Sequence, residues 1–293
     1  MSELTKRILF GVPAAVVAIA IVLAGGAALA ALLAIVSALA AWEFYRIARA
    51  AGHAPLGDVG AALAGLVPLA VHARYLGFVL PKFAYFAAVL LAILAAVIWA
   101  RGVTGKPLGA AASTVLGVLY TGALLSFAYA IRYHDYAAGG VRIGAVSIAA
   151  GGVLLGLPLV LTWATDIGAM LFGKMIGGRK LIPVVSPGKT VSGAIGGVVL
   201  TVIVAWLYVH FVLRPTAQLA MTSRAIIGFA IVISVAAQIG DIFESLLKRE
   251  AGVKDSSGLL PGHGGILDRI DSLLFVLPVA HLMLGWVLIP APR

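Results

Sequence analysis

The sequence predicts an all-α, polytopic integral membrane protein with about nine transmembrane helices. Hydrophobic residues make up 62% of the chain and charged residues only 11%, whereas soluble domains carry about 25% charged residues. Long apolar runs recur over the whole length, and about 20 apolar residues suffice to cross a bilayer as a helix. A soluble fold built from this chain would lack the polar residues needed to cover its surface.

Two further features of the composition limit the possible functions. The chain has no cysteine, which excludes disulfides, thiolate catalysis and metal sites with cysteine ligands. Its 21 Lys and Arg against 11 Asp and Glu give a net charge of +10. In a membrane protein such an excess is explained by cytoplasmic loops and anionic lipid. We therefore expect a lipid bilayer and no nucleic acid as partner, while an anionic substrate remains open.

The predicted spans follow the apolar runs in chain order, and each is about long enough to cross a bilayer. The first begins after Lys6 and Arg7 and is read as a helix rather than a signal peptide, because a second run follows almost at once. The sixth contains several glycines and Pro158, so it is either one long kinked helix or a re-entrant piece followed by a span. The runs are 8–23, 27–45, 56–71, 78–100, 109–131, 143–175, 193–213, 226–247 and 272–289.

The Lys and Arg residues between the spans predict the orientation. The side that carries the N-terminus holds roughly twice as many of them as the other side. This places the N-terminus and the polar loops 174–192 and 248–268 in the cytoplasm, in a cell (inner) membrane. We expect residues 1–140 to form a helical scaffold with lipid and dimer contacts, and residues 141–293 to carry the chemistry.

Two glycine pairs have the small-xxx-small spacing that lets helices approach closely. They are Gly152 with Gly156 and Gly193 with Gly197. Glycine and alanine are abundant throughout this chain, so ordinary packing within a helical bundle explains both pairs.

The longest polar segment, residues 245–271, is preceded by polar residues inside the eighth span. Gln238, Asp241, Ser245 and Lys248 recur at helical spacing and so share one face. A charged group within the hydrocarbon costs about 2.5–3.5 kcal/mol, so such residues are seldom without a role. The simpler explanation is an ion pair of Lys248 with Asp241 or its neighbour Glu244 within the same helix.

Two more carboxylates, Asp268 and Asp271, lie three residues apart at the start of the ninth span. Capping of a helix N-terminus accounts for either one, but less well for both together with Asp241. Three carboxylates at the helix ends that flank one loop can converge on a hard cation such as Mg²⁺. A third carboxylate also leaves room for a second cation.

The loop between these carboxylates contains Gly264 and Gly265 directly after His263. Adjacent glycines before a helix can direct backbone N–H groups at an anion, whereas a plain turn would be the simpler explanation if the loop stood alone. His263 has no second histidine nearby, so we interpret it as a donor to phosphate or base rather than a metal ligand. The surrounding basic residues suit a polyphosphate; they are Lys248, Arg249, Lys254 and Arg269.

The loop 174–192 is also basic and rich in glycine. Lys189 and Thr190 end a sequence that looks like a P-loop, but Pro183 stands where that motif needs glycine and no strand precedes it. Without the P-loop interpretation, the loop 174–192 is still a basic, glycine-rich segment that can bind phosphate. Asp166, within the sixth run, is a functional candidate because of its depth, unless it is simply paired with a nearby lysine or polar group.

Together these residues resemble the signature of the phosphatidate cytidylyltransferase (CDP-diacylglycerol synthase) family. The matching positions are Ser245, Leu247, Lys248, Arg249, Lys254, Asp255, Leu260, Pro261, His263, Gly264, Gly265, Ile266, Asp268, Arg269, Ile270 and Asp271. The resemblance extends upstream to Gln238, Gly240, Asp241, Asp166, Phe172, Gly173, Lys174, Ser186, Pro187, Lys189 and Thr190. Two positions depart from the pattern: Gly188 stands where the family usually has Lys, and Ser192 where it has Glu.

The resemblance implies an all-helical, dimeric membrane enzyme that makes CDP-diacylglycerol and pyrophosphate from CTP and phosphatidate. It implies that Asp241, Asp268 and Asp271 hold Mg²⁺, with K⁺ as a possible second cation, and that Lys248 and Arg269 share in catalysis. The substrate-binding residues it implies are Asp166, Lys189, Thr190, Ser245, Arg249, Lys254, Asp255, His263, Gly264 and Gly265.

Three other functions stay open. A CDP-archaeol synthase differs only in its ether lipid substrate, which the sequence does not distinguish. A polyprenol kinase lacks the complete signature. A transporter would spread its ionisable residues at mid-membrane in paired half-helices, whereas this chain concentrates them in one loop at a helix end.

Overall fold

Helices make up most of the protein in a computed structural model that describes residues 3–78, 82–136, 140–143, 146–260, 262 and 264–291. The first four runs form one helix each. These are α1 Glu3–Ala24, α2 Gly26–Ala50, α3 Gly57–Tyr75 and α4 Lys82–Arg101. The fifth run is interrupted by a π-helical turn, giving α5 Pro107–Gly117, the turn Val118–Ala123 and α6 Leu124–Arg132.

The second half of the chain alternates long helices with short antiparallel strand pairs. Its helices are α7 Ala150–Ile176, α8 Val191–Tyr208, a π-helical turn Val209–Leu213, α9 Arg214–Ala217, α10 Ser223–Glu250 and α11 Leu267–Val287. The strand pairs are β1 Gly140–Ile143 with β2 Val146–Ala149, β3 Lys180–Ile182 with β4 Ser186–Thr190, and β5 Leu219–Ala220 with β6 Ile289–Pro290. The sixth run is one helix from Ala150 onward, because the residues before it form the β1–β2 hairpin.

The chain is a multi-pass membrane protein by the length and hydropathy of its helices. Within the described residues, six helical segments are long and apolar enough to cross a bilayer. They are Gly26–Ala50, Pro107–Arg132, Ala150–Ile176, Val191–Ala217, Ser223–Glu250 and Leu267–Val287. Pro13–Ala24 and Phe86–Arg101 are shorter apolar helices. The count of nine spans therefore stays a prediction.

The chain forms two compact units, each assembled from separate stretches. The first contains Met1–Ile21, Gly26–Tyr129 and Leu246–Ile270. The second contains Val22–Gly25, Ala130–Ser245 and Asp271–Arg293. The predicted division into a scaffold, residues 1–140, and a catalytic region, residues 141–293, stays a prediction.

Tyr45 of α2 lies at the centre of the first unit and is fully buried. Its hydroxyl donates to the Thr114 carbonyl of α5 at 2.7 Å, so the polar end of this aromatic ring is satisfied inside the core. A Cβ at Gly60 or Gly117 would overlap the Tyr45 ring. These glycines are therefore required by packing, because only they let α3 and the fifth run close around the ring.

In the second unit, α7 and α8 pack through small residues. A Cβ at Gly168 would lie 2.7 Å from the Gly196 carbonyl oxygen, and one at Gly193 would lie 2.7 Å from the Ala169 carbonyl oxygen. The hydroxyls of Thr165 and Thr201 also form a hydrogen bond of 2.7 Å across this contact. The small-residue spacing that begins at Gly193 thus marks a close helix–helix approach, as bundle packing predicts.

We expect Gly168→Ala to destabilise the protein, because its methyl group would press on the backbone of α8. Overpacking of this kind costs about 1–3 kcal/mol, so the midpoint of thermal unfolding in detergent should fall. Gly228→Ala is the matched control, since a Cβ there meets nothing within 4 Å. Equal unfolding midpoints for the two variants would contradict the packing described for α7 and α8.

Candidate functional site

The second unit contains a cavity of about 430 Å³, lined by several charged residues and formed by α7, the β3–β4 hairpin, α8 and α10. It gathers residues from two of the regions that the sequence singled out, the loop 174–192 and the polar residues of α10 upstream of the signature. Among its lining residues are Asp166, Lys174, Lys180, Gly188, Lys189, Thr190, Gln238 and Asp241. Three lysines against two carboxylates leave this cavity with a positive balance, which suits an anionic ligand.

Lys189 and Asp241 form an ion pair at the cavity. The Lys189 Nζ lies 2.7 Å from Asp241 Oδ2, and their side chains are 25% and 37% exposed. Ser245 adds a weaker hydrogen bond, its hydroxyl donating to Asp241 Oδ1 at 3.4 Å. The partner of Asp241 is therefore Lys189 of the β3–β4 hairpin. The pair holds the Lys189 ammonium group at the cavity, where a phosphate could reach it.

Backbone geometry at the ends of α7 and α8 shapes this hairpin. Gly177 and Gly178 have φ of 65° and 94°, the left-handed conformation that ends a helix most easily at glycine. The Thr190 hydroxyl accepts the Gly193 N–H at 3.1 Å and so caps α8. Thr190, predicted to bind substrate, therefore has a clear capping role in addition.

The two departures from the family pattern also lie here. Gly188 lines the cavity, and a Cβ added to it would meet nothing within 4 Å. Ser192 donates to the Gly177 carbonyl and contacts the Thr190 hydroxyl at 3.1 Å. Ser192 thus belongs to the framework of the hairpin, whereas Gly188 leaves open space in the cavity.

Asp268, in the first unit, is held by donors of its own loop. Its Oδ1 lies 2.7 Å from Lys248 Nζ. Its Oδ2 accepts from the Ser256 N–H at 3.0 Å, the Ser256 hydroxyl at 2.9 Å and the Gly265 N–H at 2.8 Å. The side chains of Lys248 and Asp268 are only 14% and 8% exposed. Lys248 therefore reaches across the loop to Asp268.

A buried carboxylate that the sequence reasoning overlooked, Glu43 of α2, lies against the same loop. It is fully buried and accepts hydrogen bonds from both side chains and backbone of the segment that leads into α11. A signal was present, because Glu43 is an acidic residue within the second predicted span and such residues are expensive in a membrane.

The glycine pair Gly264 and Gly265 lets the loop pack closely on itself. Gly264 has φ of 81°, and a Cβ there would lie 2.9 Å from Asp268 Oδ2. A Cβ at Gly265 would overlap the Ser256 hydroxyl. Since the Gly265 N–H donates to Asp268, that group binds within the loop, whereas the sequence predicted that it faces a ligand. His263 lies outside the described residues.

A second cavity, of about 390 Å³, lies between α2 and this loop in the first unit. It brings two predicted substrate-binding residues, Lys254 and Asp255, together with Arg46 of α2. Arg46 was not predicted; its guanidinium lies over the Trp42 ring, 4.8 Å from the centroid. Arg249 and Arg269, also predicted, are exposed on the helices that flank the loop.

The predicted Mg²⁺ ligands differ in how well they suit a metal. Asp241 lines the large cavity with Asp166, and one or two carboxylates plus substrate phosphate are the usual ligands of Mg²⁺. Asp271 lies where α10 and α11 pack, since a Cβ at Gly240 would be 2.7 Å from its carbonyl oxygen. Asp268 suits a metal less well, because both of its oxygens already accept hydrogen bonds. Throughout the described ranges, no group of three or more His, Asp or Glu is gathered as a metal site.

Comparison with known proteins agrees with the sequence pattern. A model of the cytidylyltransferase family matches residues 5–287. A phosphatidate cytidylyltransferase of Staphylococcus aureus (strain COL) is 47% identical over 125 residues, which make up 43% of this chain and 46% of that protein. Proteins of the same name from Staphylococcus epidermidis (strain ATCC 12228 / FDA PCI 1200) and Staphylococcus haemolyticus (strain JCSC1435) are 45% and 44% identical, with the same coverage. The match spans a little under half the length of these relatives.

We expect Lys248→Met to destabilise the loop, because it leaves the Asp268 carboxylate buried without this cation. Removing one partner of a buried ion pair typically costs about 3–5 kcal/mol. The change should lower the thermal unfolding midpoint in detergent and speed proteolysis of the loop. Lys254→Met removes the same charge from an exposed position of this loop and should alter neither property. Equal effects of both changes would show that general charge, and not this pair, stabilises the loop.

Proposed function

Because the chain belongs to the cytidylyltransferase family, we propose that it transfers the cytidylyl group of CTP to phosphatidate. The products are CDP-diacylglycerol and pyrophosphate, for phospholipid synthesis. The observation that carries the proposal is the positive cavity of the second unit, with Lys189 held at Asp241. The three relatives named above support it, since each is named a phosphatidate cytidylyltransferase.

The reaction needs charge neutralisation more than proton transfer. A phosphatidate oxygen is already ionised near neutral pH, so it attacks the α-phosphorus of CTP without a general base. The bond between that phosphorus and the bridging oxygen breaks, and its electrons leave with pyrophosphate. The barrier is the approach of one anion to another, and fixed cations lower it most.

We assign the neutralising groups by position. Lys174, Lys180 and Lys189 line the cavity and would pair with triphosphate oxygens. Lys248, Arg249, Lys254 and Arg269 of the signature would add further cations, as the resemblance implies. Arg46 is a further candidate cation of the second cavity, which it lines together with Lys254.

Asp241, with Asp166 in the same cavity, offers the oxygen ligands that suit Mg²⁺; Asp268 and Asp271 complete the predicted set. When bound, Mg²⁺ supplies positive charge that stabilises the departing pyrophosphate. A second cation such as K⁺ and a homodimer are further expectations from the resemblance.

The membrane helices fit a reaction between a water-soluble and a lipid-soluble substrate. Six long apolar segments among the described residues would hold the protein in the bilayer. We propose that the active-site loops and the N-terminus face the cytoplasm of the cell (inner) membrane. There CTP arrives from water, while phosphatidate arrives laterally from the lipid.

The first test is product formation by the purified protein. With labelled CTP and phosphatidate in mixed micelles, we expect CDP-diacylglycerol and pyrophosphate to form in equal amounts only when Mg²⁺ is present. EDTA should abolish both products, and added Mg²⁺ should restore them. Pyrophosphate release in EDTA would refute the metal dependence, and a lack of CDP-diacylglycerol would refute the activity. An ether analogue of phosphatidate in the same assay tests the CDP-archaeol synthase alternative.

We expect Asp241→Asn to lower kcat/KM at least about 100-fold, which corresponds to about 2.7 kcal/mol of transition-state stabilisation. The change removes the charge that holds Lys189 and one proposed oxygen ligand for Mg²⁺. Asp58→Asn, on the exposed side of α3, is the control and should retain the parent rate. An Asp241→Asn variant with near-parent kcat/KM would exclude Asp241 from the catalytic groups.

A further inference from the structure

We propose that Glu43 of α2 is the positioning residue for the signature segment, acting as an acceptor that fixes the loop between α10 and α11. Only the expected effect of Glu43 on turnover rests on the proposed function. The structural part of its role stands on contacts within the first unit alone. Glu43 lies more than two hundred residues before the loop in the chain, and no motif of the signature includes it.

The burial of Glu43 shows that its carboxylate has a specific partner set. The side chain is fully buried, and a buried carboxylate is costly unless hydrogen bonds compensate for lost water. Its Oε2 accepts from the Ser256 hydroxyl at 2.9 Å and the Leu267 N–H at 2.7 Å. Its Oε1 accepts from the Ser257 hydroxyl and from the Ile266 N–H, the latter at 3.0 Å. Three of these donors serve Glu43 alone and the fourth, the Ser256 hydroxyl, is shared with Asp268, so the carboxylate is well supplied with hydrogen bonds.

Two of these donors, the N–H groups of Ile266 and Leu267, lie where α11 begins. The first backbone N–H groups of a helix lack partners within the helix, and the residue before α11 is Ile266, whose side chain cannot accept a hydrogen bond. Glu43 supplies the missing acceptor from another helix. Its negative charge also lies at the end of the helix dipole that favours it. The start of α11, and with it Asp268, is thereby held at a set position.

Ser256 connects Glu43 to the signature carboxylate Asp268. Its single hydroxyl lies 2.9 Å from Glu43 Oε2 and 2.9 Å from Asp268 Oδ2, so its one hydrogen serves one of the two at a time. The Ser256 N–H donates to Asp268 as well. A change at Glu43 therefore reaches Asp268 through one shared residue.

Gly265 shows how closely the loop fits around Glu43. A Cβ at this position would lie 2.6 Å from Glu43 Oε2 and would overlap the Ser256 hydroxyl. Real Cβ atoms do not approach other atoms so closely. The glycine of the signature is thus required here by the carboxylate of α2, a reason independent of any ligand.

The proposed role needs both carboxylate oxygens of Glu43, so Glu43→Gln is the informative change. The amide keeps the size of the side chain but replaces one acceptor oxygen by an NH₂ group that faces donors. We expect hydrogen exchange of the segment 254–266 to quicken at least tenfold, while exchange of α7 and α8 stays as in the parent. In the enzyme assay, kcat should fall at least tenfold with KM for CTP changed less than threefold. Glu43→Asp, which keeps both oxygens, should recover part of each property.

Glu250→Gln is the matched control, because Glu250 ends α10 beside the same loop but its side chain is 56% exposed. It should match the parent in exchange and in kcat. Parent-like exchange of the loop in Glu43→Gln would overturn the proposal, whatever the activity. If the parent protein shows no cytidylyltransferase activity, the exchange result still decides the role of Glu43, so the two failures are distinguishable.

Ser257→Ala provides a milder test for the case that Glu43→Gln does not fold. It removes one donor to Glu43 and leaves the other three in place. Exchange of the loop should quicken by a smaller factor than in Glu43→Gln, with unchanged exchange in α7 and α8. Exchange as slow as in the parent would overturn the assignment of Glu43 as the acceptor that holds the loop.

Discussion

Two carboxylates, Glu43 and Asp268, fix the polar loop between α10 and α11 within the first unit. Between them they accept hydrogen bonds from Ser256, Ser257 and the backbone at the start of α11, and Asp268 also pairs with Lys248. A segment rich in charge gains little from apolar packing, so these polar contacts must fix its shape. The positions of the signature residues in the first unit depend on them.

The cavity of the second unit has a different arrangement, in which three lysines and two carboxylates line one space. Lys189 is oriented by Asp241, and the hairpin that carries it is set by the cap at Thr190 and by the left-handed glycines after α7. The hairpin and the helix ends thus place three lysines around one cavity of the second unit. The proposed transfer of a cytidylyl group from one phosphate anion to another would require electrostatic preorganisation of this kind.

The membrane class, the family and several candidate residues could be recognised without the fold. The membrane class followed from hydropathy, and six described segments meet the requirements for a span. The family followed from the residues between Gln238 and Asp271, and the family match over residues 5–287 confirms it. Cavity-lining residues such as Asp166 and Lys189 were also identified, because charged groups stand out in an apolar sequence. The metal ligands and the count of nine spans stay predictions.

The sequence by itself determined the membrane class and the family, and it identified most of the polar candidate residues. Composition and motif spacing are local properties of the chain, so no fold was needed for this. Only the tertiary structure decided which of these residues are partners. Lys248 pairs with Asp268 across the loop, Lys189 pairs with Asp241 across two elements, and Glu43 caps a helix from far away in the chain. Such pairings depend on how distant segments pack, and neither helical periodicity nor a motif contains that information.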